Sequence, residues 1–192
     1  LVEKQGLGVD RMYTAMISLG HRPPRVTETP GPYVVSELVG GVPNTAVMAL
    51  IRHVRPEARQ KDVRIVLLID ALLHRPFLTD ETAAVVLQTD VLSARGAFEA
   101  ARQTTIAGTP LLRRYKNVWL FGYAAFDYAR LARDTTRVIP VMSYLGPEGI
   151  PETVSTWLTA HDAITTGDVM ELTGASRGTA QRALGDLEGH VL

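Results

Sequence analysis

The sequence predicts a mainly α fold (α+β) built from tandem winged helix-turn-helix units with small β-hairpin wings. Three observations predict it. Residues 165–192 read as a helix-turn-helix from local chemistry alone. Residues 57–122 run through three helical stretches and then a hairpin, the element order of a winged helix. The rest of the chain offers no catalytic signature to compete with these two.

The chain has 192 residues, 46% of them hydrophobic, which suits a real core and either one large domain or two small ones. No apolar run approaches the length of a membrane span, and Glu3 and Lys4 interrupt any signal-peptide pattern. The absence of cysteine excludes disulfides and thiolate metal sites and fits a cytoplasmic protein. Leu1 in place of Met reads as a piece of a longer chain. Lys plus Arg equals Asp plus Glu, 20 each. That balance counts against a large phosphate footprint but leaves room for a small one with locally clustered charge. Most basic residues are Arg, which suits fork-like recognition of phosphate or guanine.

In chain order, Gly6 and Gly8 precede a helix with Val9, Met12, Met16 and Leu19 at inward spacing. Gly20, Pro23 and Pro24 stop it. The β-branched Tyr33 to Val39 predicts a strand, Thr27 to Pro43 a boundary, and Gly40 to Pro43 a hinge. Asn44 to His53 is a short helix. Pro56 and Glu57 start a longer one reaching Leu73. Thr79 caps a helix over Asp80 to Leu87, with acids where the dipole favours them. Asp90 begins a third, with Val91, Ala94, Phe98 and Ala101 inward. Pro110 to Tyr115 and Val118 to Phe121 flank a Lys116–Asn117 turn and predict a hairpin. Tyr123 to Arg133 is helical, Thr135 to Ile139 a strand or linker, and Gly146 to Pro151 a second hinge. The final unit starts with a helix from Pro151 to Thr159. Thr166 is placed to cap the next, Gly174 supplies the turn, and Ser176 caps the last, which buries Ala180, Leu184 and Leu187. The domains so defined are 43–135, a winged helix with a basic hairpin, and 136–192, a second helix-turn-helix.

The exposed face of the last helix shows Arg177, Gly178, Gln181, Arg182 and Gly185. Arg and Gln can pair in bidentate fashion with guanine and adenine edges, and these lie in the half of the helix that enters the major groove in this motif. Arg177, Gln181 and Arg182 are the candidate DNA contacts; an ordinary helical hairpin with a solvated polar face is the alternative. Arg113, Arg114 and Lys116, beside Tyr115 and Asn117, form the densest basic cluster and suit a phosphate-contacting wing. An edge hairpin protected by charge would look the same. The five histidines lack metal-ligand spacing, and no phosphate-binding lysine loop or serine elbow is present. No catalytic or metal residue is expected, nor any cofactor in this chain.

The run EKQGLGVDRMYTAMISLGHRPP adds a family likeness. Gly6, Gly8, Arg11, Met12, Gly20, Pro23 and Pro24 resemble the end of the ATPase-like module in Schlafen-AlbA-type (divergent-AAA) ATP-binding transcriptional regulators. The resemblance implies that residues 1–42 are the tail of an α/β ATPase-like module that precedes winged helices. It also implies that Gly6 and Gly8 belong to a partial nucleotide site, with ATP bound only by a longer parent protein.

The resulting expectation is a cytoplasmic, non-enzymatic, DNA-binding transcriptional regulator acting on double-stranded DNA. A homodimer would double a small footprint. The alternatives are a winged-helix protein-interaction module and the tail of a nucleotide-hydrolysing enzyme.

Overall fold

The computed structural model describes residues 7–135 and 141–188. Helix α1 (Leu7–Ser18) buries Tyr13 and Ile17, while Val9 and Leu19 are 46% and 57% exposed. The inward row is therefore rotated by about one residue from the expected one, and Met12 and Met16 are half-buried at its edge. Gly20 ends the helix at φ +78°, where a β-carbon would fall 2.7 Å from the Asn44 amide nitrogen. Both the conformation and the close approach require glycine. The Asn44 amide donates to the Gly20 carbonyl, and the Asn44 side chain accepts from the Ala46 and Val47 amides to cap α2 (Thr45–His53).

Between these helices, β1 (Arg25–Thr29) and β2 (Tyr33–Glu37) pair antiparallel, Val26 opposite Ser36 and Glu28 opposite Val34. The strand expected to reach Val39 stops at Glu37. Its partner β1 was not expected, because RVTET offers no apolar alternation. Every residue of β2 is exposed.

The single helix expected from Pro56 to Leu73 is two elements. A 3-10 stretch, Glu57–Lys61, ends at Asp62, and α3 (Val63–His74) starts there. Asp62 breaks the run because its carboxylate takes the Arg64 amide and side chain and the Arg59 guanidinium, an alternative to continuing the helix. Ile65–Ile69 and Ala71–Leu73 are all buried, so α3 is the axis of the core.

Helices α4 (Asp80–Val86) and α5 (Val91–Arg102) follow, capped by Thr79 and Asp90 as their sequences indicate. Pro110 does not belong to the basic hairpin. It ends a small separate one, β3 (Thr105–Ile106) with β4 (Thr109–Pro110). The basic hairpin is β5 (Leu112–Tyr115) with β6 (Val118–Phe121), Arg113 opposite Leu120 and Tyr115 opposite Val118. Leu78, between α3 and α4, bridges Trp119 through both backbone bonds and adds a third short strand segment. Helix α6 (Tyr123–Thr135) packs on α2. The expected strand or linker over 135–139 lies almost wholly outside the described residues.

The second hinge is a helix start. A 3-10 turn, Pro147–Gly149, leads directly into α7 (Ile150–Leu158), and Gly149 and Ile150 are buried. Helix α8 (Thr166–Thr173) is capped by Thr165, one residue before the expected Thr166, because Thr165 forms the reciprocal box with Asp168. Gly174 closes α8 in the left-handed conformation, φ +68°, and α9 (Arg177–Glu188) begins after Ser176.

Three apolar clusters result. The largest joins α1 to α6 with Val141–Leu145. A small one, of Ile150, Val154, Val169 and Ala180 with Leu184 and Leu187 against it, holds α7, α8 and α9 together. The third, Phe77, Val118, Leu120, Trp157 and Leu172, lies between the basic hairpin and the C-terminal helices. The protein is thus a mainly helical α+β fold whose described strands form small two-stranded hairpins. Among the described residues, no helix is long and apolar enough to cross a membrane.

Candidate nucleic-acid interface

Local sequence sets the geometry of the C-terminal unit. The Thr165–Asp168 box fixes the start of α8, Gly174 turns the chain, and the Ser176 hydroxyl accepts from the Thr179 amide at 3.3 Å to start α9. Ala180 is fully buried, with Leu184 and Leu187 half-buried beside it. The opposite face therefore shows Arg177, Gly178, Gln181, Arg182 and Gly185 to solvent. The Arg182 Nε donates to the Gly178 carbonyl, laying its guanidinium back along the helix towards the N-terminal end. Between Ser176 and Arg182 the face carries two guanidiniums and no carboxylate, and the helix dipole adds positive potential at the same end.

The basic hairpin is arranged differently. Strand alternation sends Arg113 and Tyr115 to one face and Arg114 to the other. Arg113 Nη2 meets Glu171 Oε2 of α8 at 2.7 Å, and its guanidinium lies 4.5 Å from the Tyr123 ring centre. Lys116, at the turn with φ +51°, ion-pairs with Asp168 and stands 5.3 Å from the Trp157 ring centre. The Tyr115 hydroxyl donates to Asp168 Oδ1 at 2.8 Å. Asn117 hydrogen-bonds to His161, which stacks on Trp157 at 3.7 Å. Arg114 remains exposed on the far face, with its Nε donating to the Lys116 carbonyl and its guanidinium 5.7 Å from the Trp119 ring centre.

The electrostatics follow from this packing. Burial by itself would raise the Asp168 carboxyl, but the Lys116 ammonium and the Thr165 and Tyr115 donors outweigh it and hold the group at about 2. Burial, with the adjoining Asp168 charge, pushes the Tyr115 phenol up to about 12. On α5, Arg95 pairs with Asp80 of α4 at 2.7 Å and Arg102 with Glu99 at 3.2 Å, so both guanidiniums are charge-balanced within the protein.

Of the nucleotide-site candidates, Gly8 sits exposed in the first turn of α1, and Gly6 lies outside the described residues. The side chains that sequence reasoning missed are Asp168, Glu171, Trp157 and His161. Asp168 and Glu171 are three apart and share one face of α8, a visible acidic pair. Their basic partners are more than fifty residues away.

Comparison with known proteins relates parts of the chain to two families. Residues 147–191 match the family model described as the transcriptional regulator DIP2311-like C-terminal domain, so this unit is related to a regulator. Residues 45–130 match a family of unknown function, DUF5635. A particular solved structure extends the likeness. The crystal structure of the DIP2311 protein from Corynebacterium diphtheriae shares 42% identity over 99% of this chain, with a TM-score of 0.85. The chain spans 34% of the length of that protein's chain. No curated protein matches the chain.

Proposed function

We infer that the chain is the winged-helix portion of a DNA-binding transcriptional regulator. The observation that carries this reading is α9, which places Arg177, Gln181 and Arg182 on one solvent-facing stretch at the entry end of a helix-turn-helix. The regulator match over the same helices supports it. The first unit supports a winged-helix arrangement too: α3, the Leu78 strand segment, α4, α5 and the β5–β6 hairpin follow the order helix, strand, helix, helix, hairpin, with the small β3–β4 hairpin inserted before the last. On this reading 43–135 and 136–192 are the two units. Residues 1–42 are the tail of an ATPase-like module whose ATP site, including Gly6 and Gly8, is completed by a longer parent. The protein is cytoplasmic and not an enzyme.

Two guanidiniums per α9 make a small footprint, so a homodimer on paired half-sites is the natural binding form. A titration of duplex DNA binding against salt tests the reading. Each copy should contribute a log–log slope of about −2, from roughly two phosphates neutralised. A slope near zero overturns DNA binding. One observation favours a protein-interaction role instead: Val85 and Leu92, on α4 and α5, are 78% and 77% exposed. Salt-independent binding to a partner protein through those residues would support that alternative.

A further inference from the structure

We propose that the β5–β6 hairpin is a bracket that sets the orientation of α9, so that Arg113, Tyr115 and Lys116 are positioning residues for DNA recognition and not phosphate contacts. This rests on the reading of α9 as the DNA-contacting helix.

The hairpin grips α8 at successive points. In the first turn, Asp168 takes the Tyr115 hydroxyl and the Lys116 ammonium. One turn further on, Glu171 takes Arg113. Next to Glu171, Leu172 packs with Phe77, Val118, Leu120 and the fully buried Trp157. At the end of α8, a β-carbon on Gly174 would touch the Phe126 ring of α6 at 3.2 Å, so the turn itself lies against the first unit. Helix α8 in turn packs on α9 through Val169 and Ala180. Orientation therefore passes from the hairpin to α8 and from α8 to the DNA-facing side chains.

A phosphate would have to displace Glu171 from Arg113, whose side chain is 21% exposed, and Lys116 from a carboxylate that is fully buried. Removing Lys116 leaves the buried Asp168 carboxylate without its counter-charge, which low-polarity surroundings penalise, and removing Arg113 leaves Glu171 unpaired. The α9 face imposes no such exchange. Strand alternation leaves Arg114 on the other side of the hairpin, outside the bracket.

The test combines DNA binding with a distance measurement on the 192-residue chain. In the variant Arg113→Glu, Kd for duplex DNA should rise about tenfold, comparable to one lost bidentate base contact. The salt slope should not change. The double variant Arg113→Glu/Glu171→Arg should recover the original Kd. Lys116→Gln, a milder change, should behave like Arg113→Glu.

Because the chain has no cysteine, spin labels at Leu92→Cys on α5 and Asp186→Cys on α9 report orientation without DNA. Their distance distribution should be narrow, broaden in Arg113→Glu and narrow again in the exchanged pair. A slope reduced by about one unit in Arg113→Glu, with no recovery on exchange, would make Arg113 a phosphate contact and overturn the proposal. So would a label distribution that is already broad in the unaltered chain. A slope near zero in the unaltered chain defeats DNA binding alone; the label distances still decide the bracket.

Discussion

Asp168→Ala probes the most heavily connected side chain at the junction. Asp168 accepts from the Thr165 amide at 2.8 Å, the Thr165 hydroxyl at 2.7 Å and the Tyr115 hydroxyl at 2.8 Å, and pairs with Lys116. Losing the cap interaction costs about 1 kcal/mol. Stranding the half-buried Tyr115 hydroxyl costs about another 1 kcal/mol. Lys116 is 48% exposed and can turn its ammonium to water. Its lost ion pair therefore adds about 1 kcal/mol, well short of the cost of a wholly buried pair. The expected loss is about 3 kcal/mol, and Asp168→Asn, which keeps one acceptor but loses the charge, should lose about 2 kcal/mol. Urea unfolding followed by far-UV circular dichroism reads both. With a slope near 2 kcal/mol/M, the alanine variant's midpoint should drop by about 1.5 M. The same carboxyl sets a pH dependence. Its folded value of about 2 lies below the ordinary 3.8. Its contribution is therefore present above the unfolded pKa and lost as pH falls through the folded one. That loss is about 2 kcal/mol between roughly pH 5 and pH 2, and should vanish in Asp168→Asn. An alanine variant costing under about 1 kcal/mol, or an identical acid profile in Asp168→Asn, would refute this account of the junction.

Other substitutions test other parts of the structure. Gly174→Ala forces a β-carbon into a left-handed residue and against Phe126, and should lower stability by about 1–2 kcal/mol in the same urea assay. Trp157→Ala empties the fully buried centre of the third cluster and should cost about 3–5 kcal/mol, with loss of near-UV circular dichroism. The pair Arg177→Ala/Arg182→Ala should leave urea unfolding unchanged and flatten the salt slope of DNA binding by about two units per copy.

The elements legible in the sequence are those whose boundaries are set by local chemistry. Thr79, Asp90, Gly174 and Ser176 each satisfy a helix end within three or four residues, and each ends up where the sequence puts it. The misreadings have physical causes. Asp62 competes with the helix for backbone donors, so the start signal at Pro56–Glu57 and the apolar run from Val63 hid a break between them. In α1, Met and Val are as apolar as Tyr and Ile, so spacing alone did not choose the inward row. Strand β1 has no apolar period at all. The basic run Arg113–Lys116 was legible as a cluster, and its division between two faces was implicit in strand alternation. Its partners were not, because Asp168 and Glu171 approach only through tertiary packing.

The all-exposed β2 strand has a practical consequence. A lone two-stranded sheet is marginal in water, and β1–β2 leaves an outer edge on each strand, with Tyr33, Val34 and Val35 in the open. Such an edge is a ready template for another strand, and the risk of sticking grows with concentration. Arg25, Glu28 and Glu37 lie along the same hairpin and act as gatekeepers, since charges on an edge discourage stacking. Replacing Glu28 and Glu37 with apolar residues would remove two of those three charges and invite precipitation through this hairpin.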